Sequence, residues 1–104
     1  MIIYEVSIMM EPEIETEYRK WLEQHIVEII GLEGFLGATL HTMLGQAKPA
    51  LVISYQVIDS PALDRYLNTH AARFRKDAQD KFGNKFVAGR RILKIEKQFP
   101  IERN

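Results

Sequence analysis

The sequence predicts an α+β domain: a four-stranded antiparallel sheet backed on one face by two helices. Three observations lead there. Four stretches carry strand-like apolar patterns, and two carry apolar stripes at helical spacing. They follow one another in the order βαββαβ. Proline and glycine fall at the junctions between them, where the chain must turn.

The first strand is "IIYEVSIM", residues 2–9. It alternates with period two, so Ile2, Tyr4, Val6 and Ile8 form one face and Ile3, Glu5, Ser7 and Met9 the other. Pro12 opens the first helix, and Glu13, Glu15 and Glu17 complement the positive end of its dipole. Its stripe is Ile14, Tyr18, Trp21, Leu22, His25, Ile26 and Ile29, with Gly31 and Gly34 ending it. "FLGATLHTML", residues 35–44, is the second strand, with Leu36, Ala38, Leu40 and Leu44 on one face. "GQAKP" turns the chain. "ALVISYQVI", residues 50–58, is the third strand, with Leu51, Ile53, Tyr55 and Val57 facing one way.

"DSP" at 59–61 starts the second helix, with Asp59 or Ser60 as cap and Pro61 in the first turn. One continuous helix is expected to Phe82, with Leu63, Leu67, His70, Phe74, Ala78 and Phe82 on its stripe. Gly83 stops it. "KFVAGRRILKIEKQF", residues 85–99, is the fourth strand. Its alternation breaks near Gly89–Arg91, which predicts a bulge there. Two βαβ-like halves with right-handed crossovers give the ferredoxin-like arrangement, with strands one and three central and strand four an edge. Residues 1–99 are read as one such domain and 100–104 as a tail.

A chain of 104 residues supports one core, and 46% hydrophobic with 27% charged residues is the composition of a globular domain. Without cysteine there is no disulfide framework and no thiolate metal site, and a reducing compartment is the simplest home. The N-terminus is apolar but lacks a basic leader and carries Glu5. Neither a signal peptide nor a membrane span is expected, and the location is read as cytoplasmic. Formal net charge is zero, yet residues 1–40 hold eight acids and two bases, while 65–104 hold four acids and eleven bases. Overall neutrality removes the long-range attraction to phosphate, so nucleic acid is not an expected partner. An acidic helix packed beside a basic one accounts for the segregation.

Two helices cover one face of the sheet. The other would carry Ile3, Glu5, Ser7, Met9, Phe35, Thr39, His41, Met43, Val52, Ser54, Gln56 and Ile58. That mixture is too apolar to be left in water and too polar for a sealed core. A homodimer joined through the open sheet face follows, giving a dimeric α+β barrel.

"MIIYEV", "WLEQHI", "FLGATLHTML", "VISYQV" and "RYLNTHAARFRKDAQDKF" followed by "KFVAGRRIL" resemble an uncharacterised bacterial family known only as a domain of unknown function. That family resembles in turn the dimeric α+β barrel superfamily, which includes antibiotic-biosynthesis monooxygenases. The resemblance spans nearly the whole chain. It implies the fold, and it implies that a ligand would lie between helices and sheet. It specifies no reaction, because the superfamily also holds isomerases, haem enzymes and sensors. Haem-degrading members use an asparagine on the first strand with a tryptophan and a helix histidine. This chain has Ser7 on that strand and its tryptophan, Trp21, on the first helix, so no cofactor is expected.

His25 and His70 fall on the sheet-facing stripes, Tyr4 and Tyr55 on central strands facing them, with Trp21 and Phe74 alongside. These six residues are the candidate ligand site, and His25 and His70 the candidate catalytic bases. The competing reading makes each histidine a core residue bonded to a tyrosine hydroxyl or carbonyl, and His70 is read as a packed histidine bordering a cavity. No metal site is expected, since His25, His41 and His70 come from three elements and no helix carries an HxxxH or HxxE pair. There is no GxSxG elbow and no phosphate-binding glycine loop. "RFRK", residues 73–76, reads as a solvated helix face. Three functions remain: a small-molecule binder, a cofactor-independent monooxygenase or isomerase using a helix histidine as base, and a non-catalytic interaction module.

Overall fold

A computed structural model describes residues 1–103. The elements are β1 (Ile2–Met10), α1 (Glu15–Ile30) entered through a 3-10 turn at Pro12–Ile14, β2 (Phe35–Thr42), β3 (Ala50–Val57), α2 (Ser60–Thr69), α3 (Ala71–Phe82) and β4 (Phe86–Lys94). The sheet order is β2-β3-β1-β4, antiparallel throughout. The central strands are therefore β1 and β3, and β4 is an edge, as the topology required. The arrangement is ferredoxin-like. Among the described residues no helix is long and apolar enough to cross a membrane.

Register follows from the period-two pattern. Ile2, Tyr4, Val6 and Ile8 pair with Val57, Tyr55, Ile53 and Leu51, so two apolar rows meet on the helix side. On that side the core is closed by Tyr18, Leu22 and Ile29 of α1, Leu63 and Tyr66 of α2, and Phe74 and Phe82 of α3. Asp59 caps α2 through Oδ1, which accepts from the Ala62 N–H at 2.9 Å. Gly83 ends α3 with φ 62°, a conformation that glycine adopts without strain.

Three expectations are corrected. The second helix is two. It breaks at His70, where φ is −118°, although the His70 N–H still donates to the Tyr66 carbonyl and the Phe74 N–H to His70. Asn68, Thr69 and His70 are successive weak helix formers, and the turn opens where propensity is poorest. In β2 the faces of the first two residues are exchanged. A bulge between Phe35 and Gly37 turns Phe35 into the core at 8% exposure and leaves Leu36 at 53%. The fourth strand has no bulge. Its pairing with β1 is unbroken from Ile2↔Lys94 to Met10↔Phe86, and the strand stops at Lys94. Gly89 sits opposite Ser7 without disturbing the ladder. The chain has no regular structure from Ile95 to Arg103, and the last residue of the expected tail, Asn104, lies outside the described residues.

The open sheet face carries Ile3, Glu5, Ser7, Met9, Val52 and Ser54 half-covered by their neighbours, with Thr39, His41 and Gln56 exposed. His41 Nδ1 lies 3.0 Å from the Val52 carbonyl oxygen, and Arg91 meets Glu5 at 2.8 Å across the strands.

Candidate functional site

Alternation on β1 and β3 sends Tyr4 and Tyr55 to the helix side, directly opposite each other in the ladder, with ring centroids 6.0 Å apart. Helical spacing on α1 brings Tyr18, Trp21 and His25 over the same region. Trp21 and His25 stack at 4.5 Å and 21°, and the imidazole meets Phe74 of α3 nearly at right angles, at 4.6 Å and 84°. His25 is thus in contact with two aromatic rings. Tyr66 of α2 approaches Tyr4 at 6.0 Å and Phe35 at 5.3 Å.

These groups line a cavity of about 290 Å³ between the helices and the sheet. Five of the six residues expected at a ligand site meet there: Tyr4, Trp21, His25, Tyr55 and Phe74. His70 does not. The break between α2 and α3 puts it at a separate hollow of about 200 Å³, beside Leu32, Glu33, Arg65 and Thr69. The two histidines therefore do not share a cavity.

The polar chemistry of the cavity comes from hydroxyls, one imidazole and two guanidinium groups. The Tyr4 hydroxyl accepts from Arg75 Nη2 at 3.4 Å. The hydroxyls of Tyr18, Tyr55 and Tyr66 and the ring nitrogens of His25 have no protein partner among the described residues. No sealed, unpartnered side-chain nitrogen or oxygen occurs among those residues either. These groups are therefore open to the cavity space, where a ligand or solvent satisfies them. The competing picture of a histidine bonded to a tyrosine or carbonyl is not what this geometry contains.

Burial pushes the Tyr66 hydroxyl up to about 12, aided by Tyr4 and opposed by Arg75 and Arg90. Tyr18 and Tyr55 are pushed up by the same desolvation, with Arg90 opposing in both. All three are phenols, and hence donors, at neutral pH. His25 is pushed down by burial. Glu28 and Asp77 oppose this and Arg73 adds to it. A neutral imidazole, able to accept a proton or donate one, faces the cavity.

Sequence reasoning placed Tyr18 on the right stripe but did not assign it to the site, and it missed Tyr66, Gln79, Arg75 and Arg90. Arg75 belongs to the segment whose pattern predicts a solvated face, yet it reaches the cavity, while Arg73 turns out to Glu28 at 3.5 Å. Arg90 was hidden by the expected bulge. With β4 in register, Arg90 falls opposite Val6 and faces the helices, and Arg91 faces away. Among the described residues no group of three His, Asp or Glu side chains is placed to hold a metal ion.

Residues 1–96 match the family model described as "Domain of unknown function (DUF4286)". No curated protein matches the sequence. Among solved structures, a Deinococcus radiodurans protein presented as a candidate antibiotic biosynthesis monooxygenase aligns with TM-score 0.80 at 14% identity, over 99% of this chain and 100% of that one. SnoaB, a cofactor-independent oxygenase from Streptomyces nogalater, aligns with TM-score 0.71 at 13% identity, over 96% and 97%. A dimeric ferredoxin-like protein from an uncultured marine organism aligns with TM-score 0.71 at 9% identity, over 96% and 98%. At these identities the likeness is one of fold.

Proposed function

The chain belongs to the DUF4286 family, a domain of unknown function, and from the geometry of its cavity we propose that it binds a planar, largely apolar small molecule between helices and sheet. One observation carries this: the aromatic-walled cavity of about 290 Å³ with open tyrosine hydroxyls and His25 on its wall. The volume sits at the lower end of the usual range for small-molecule sites, about 300–1,000 Å³, and apolar walls with a few convergent polar groups are their usual form. Trp21 and Phe74 would hold the rings of the ligand, and Tyr4, Tyr55 and Tyr66 would bond its oxygens.

The reading includes a homodimer formed through the open sheet face. The mixed surface of that face supports it, as does the likeness to a dimeric ferredoxin-like protein.

Trp21 is the only tryptophan in the chain, which makes the test direct. Neutral 2-naphthol titrated into the protein at pH 7 should change the Trp21 fluorescence saturably and shift the His25 ring resonances. No change in either signal up to the solubility limit of the probe would overturn the proposal.

A second reading is favoured by His25 alone. A neutral imidazole on the cavity wall is suited to take a proton from a substrate, leaving the electron pair on the substrate as an enolate bonded by tyrosine hydroxyls. Return of the proton to another carbon would be isomerisation. Transfer of the electrons to dioxygen as co-reactant would form a carbon–oxygen bond and, with the proton returned from His25, a hydroperoxide, and loss of water from a hydroperoxide whose carbon keeps a hydrogen would leave a carbonyl, in line with the cofactor-independent oxygenase activity named for SnoaB. His70, away from the cavity, has no part in this reading.

A further inference from the structure

The charge lining the cavity is one-sided. No Asp or Glu lines it, whereas Arg75 reaches it from α3 and Arg90 from β4. Among the described residues six of the fourteen Lys and Arg side chains, Arg19, Lys48, Arg73, Lys76, Lys85 and Arg91, each meet a carboxylate within 3.5 Å. Among the described residues, Arg75 and Arg90 meet none. Arg90 also breaks the apolar row of its own surface. Its cross-strand partner is Val6, and its neighbours on the helix-facing side of β4 are Ala88 and Ile92. An arginine there borders apolar walls and phenols, with no carboxylate in the cavity lining beside it.

The two guanidinium groups come from opposite walls and act on the same hydroxyls. Arg75 donates to Tyr4. Both arginines favour the ionised form of Tyr66, and Arg90 does the same for Tyr18 and Tyr55. Burial still keeps these phenols protonated, so the positive potential at the mouth is not neutralised from within the protein.

We propose that the cavity selects an organic anion: a planar apolar ring system bearing one carboxylate, its rings against Trp21 and Phe74 and its carboxylate between Arg75 and Arg90. The inference rests on the reading of the cavity as a small-molecule site and names the class of molecule. Guanidinium suits the task because its planar fork gives a carboxylate two parallel hydrogen bonds. The Tyr4 hydroxyl, already bonded to Arg75, orients that fork. A phosphate ester fits less well, since apolar walls offer nothing to the hydration its second charge demands and no glycine-rich loop supplies backbone donors.

The test compares 2-naphthoate with the uncharged 2-naphthalenemethanol, both read by Trp21 fluorescence. The proteins are wild type, Arg75→Gln, Arg90→Gln and the double variant, each checked for fold by circular dichroism. Both arginines are largely exposed, so the variants should keep the native structure. Wild type should prefer the carboxylate by about tenfold or more, the size expected of one charge-assisted bond. The preference should shrink in each single variant, vanish in the double variant and weaken in high salt. Equal binding of both probes by wild type would overturn the anion inference and leave the cavity reading standing. Binding of neither would overturn both. A carboxylate preference that survives in the double variant would show that the charge recognition lies elsewhere and would overturn the assignment to these arginines.

Discussion

His25 is a side chain whose ionisation reports on its setting. Beside Trp21 and Phe74, burial lowers its proton affinity below the ordinary value of 6.5, against the opposing pull of Glu28 and Asp77. The folded chain therefore holds the neutral form more strongly than the unfolded chain does. At pH values well above 6.5 both states are neutral and the group has no effect. As pH falls through 6.5 the unfolded state takes up the proton first, so folding stability drops until the folded pKa is passed. Urea denaturation at pH 7.5 and pH 5 should show a larger loss of stability for wild type than for His25→Phe, which keeps an aromatic ring and removes the titration. Equal losses in the two proteins would mean that His25 is not desolvated in the fold.

Among the elements, the β2–α2 corner places the tightest demand on one residue. Gly34 has φ +91°, and a Cβ added there would lie 2.4 Å from the Cβ of Ala62, in the first turn of α2. Its carbonyl also accepts from the Ile58 N–H at 2.9 Å, joining the loop before β2 to the end of β3. Gly34→Ala should thus cost about 1–3 kcal/mol from backbone strain and more from the clash. Ala62→Gly added to it should recover the clash component and leave the strain. Thermal unfolding of the two variants separates them, and a Gly34→Ala protein as stable as wild type would show that the corner opens freely. The same corner explains the exchange of Phe35 and Leu36. The chain leaves this turn with a bulge, and one extra residue flips the side-chain order of the strand start.

For the whole molecule, the helix side and the open side of the sheet have different fates. The helix side is closed except at the cavity, where edge strand β4 extends past the helices and leaves Ala88, Arg90 and Ile92 exposed. The open side presents Ile3, Met9 and Val52 among Glu5, Ser7 and Ser54, and a second copy is the economical cover. Sedimentation of the purified protein at micromolar concentration should give a dimer. Val52→Lys, placing a charge at the middle of that face, should shift it to monomer with the far-ultraviolet circular dichroism unchanged. A wild-type monomer at that concentration would overturn the dimer.

Element order, the central place of β1 and β3, and the meeting of Tyr4, Tyr55, Trp21, His25 and Phe74 were all legible in the order of residues. Each depends on a local period, two for a strand and 3.6 for a helix, and on the few chiralities open to βαβ units. What was not legible had no periodic signature. The break at His70 turns on a small balance between weak helix propensity and packing, and His70 lines a different hollow from His25. The bulge at Leu36 and the unbroken register of β4 belong to pairs of strands, so one strand read by itself cannot announce them. Arg90 entered the site for that reason, and Tyr66 and Arg75 through the packing of their helices on the sheet. Their directions were settled by which neighbour each strand or helix packs against, a contact made across the chain and not along it.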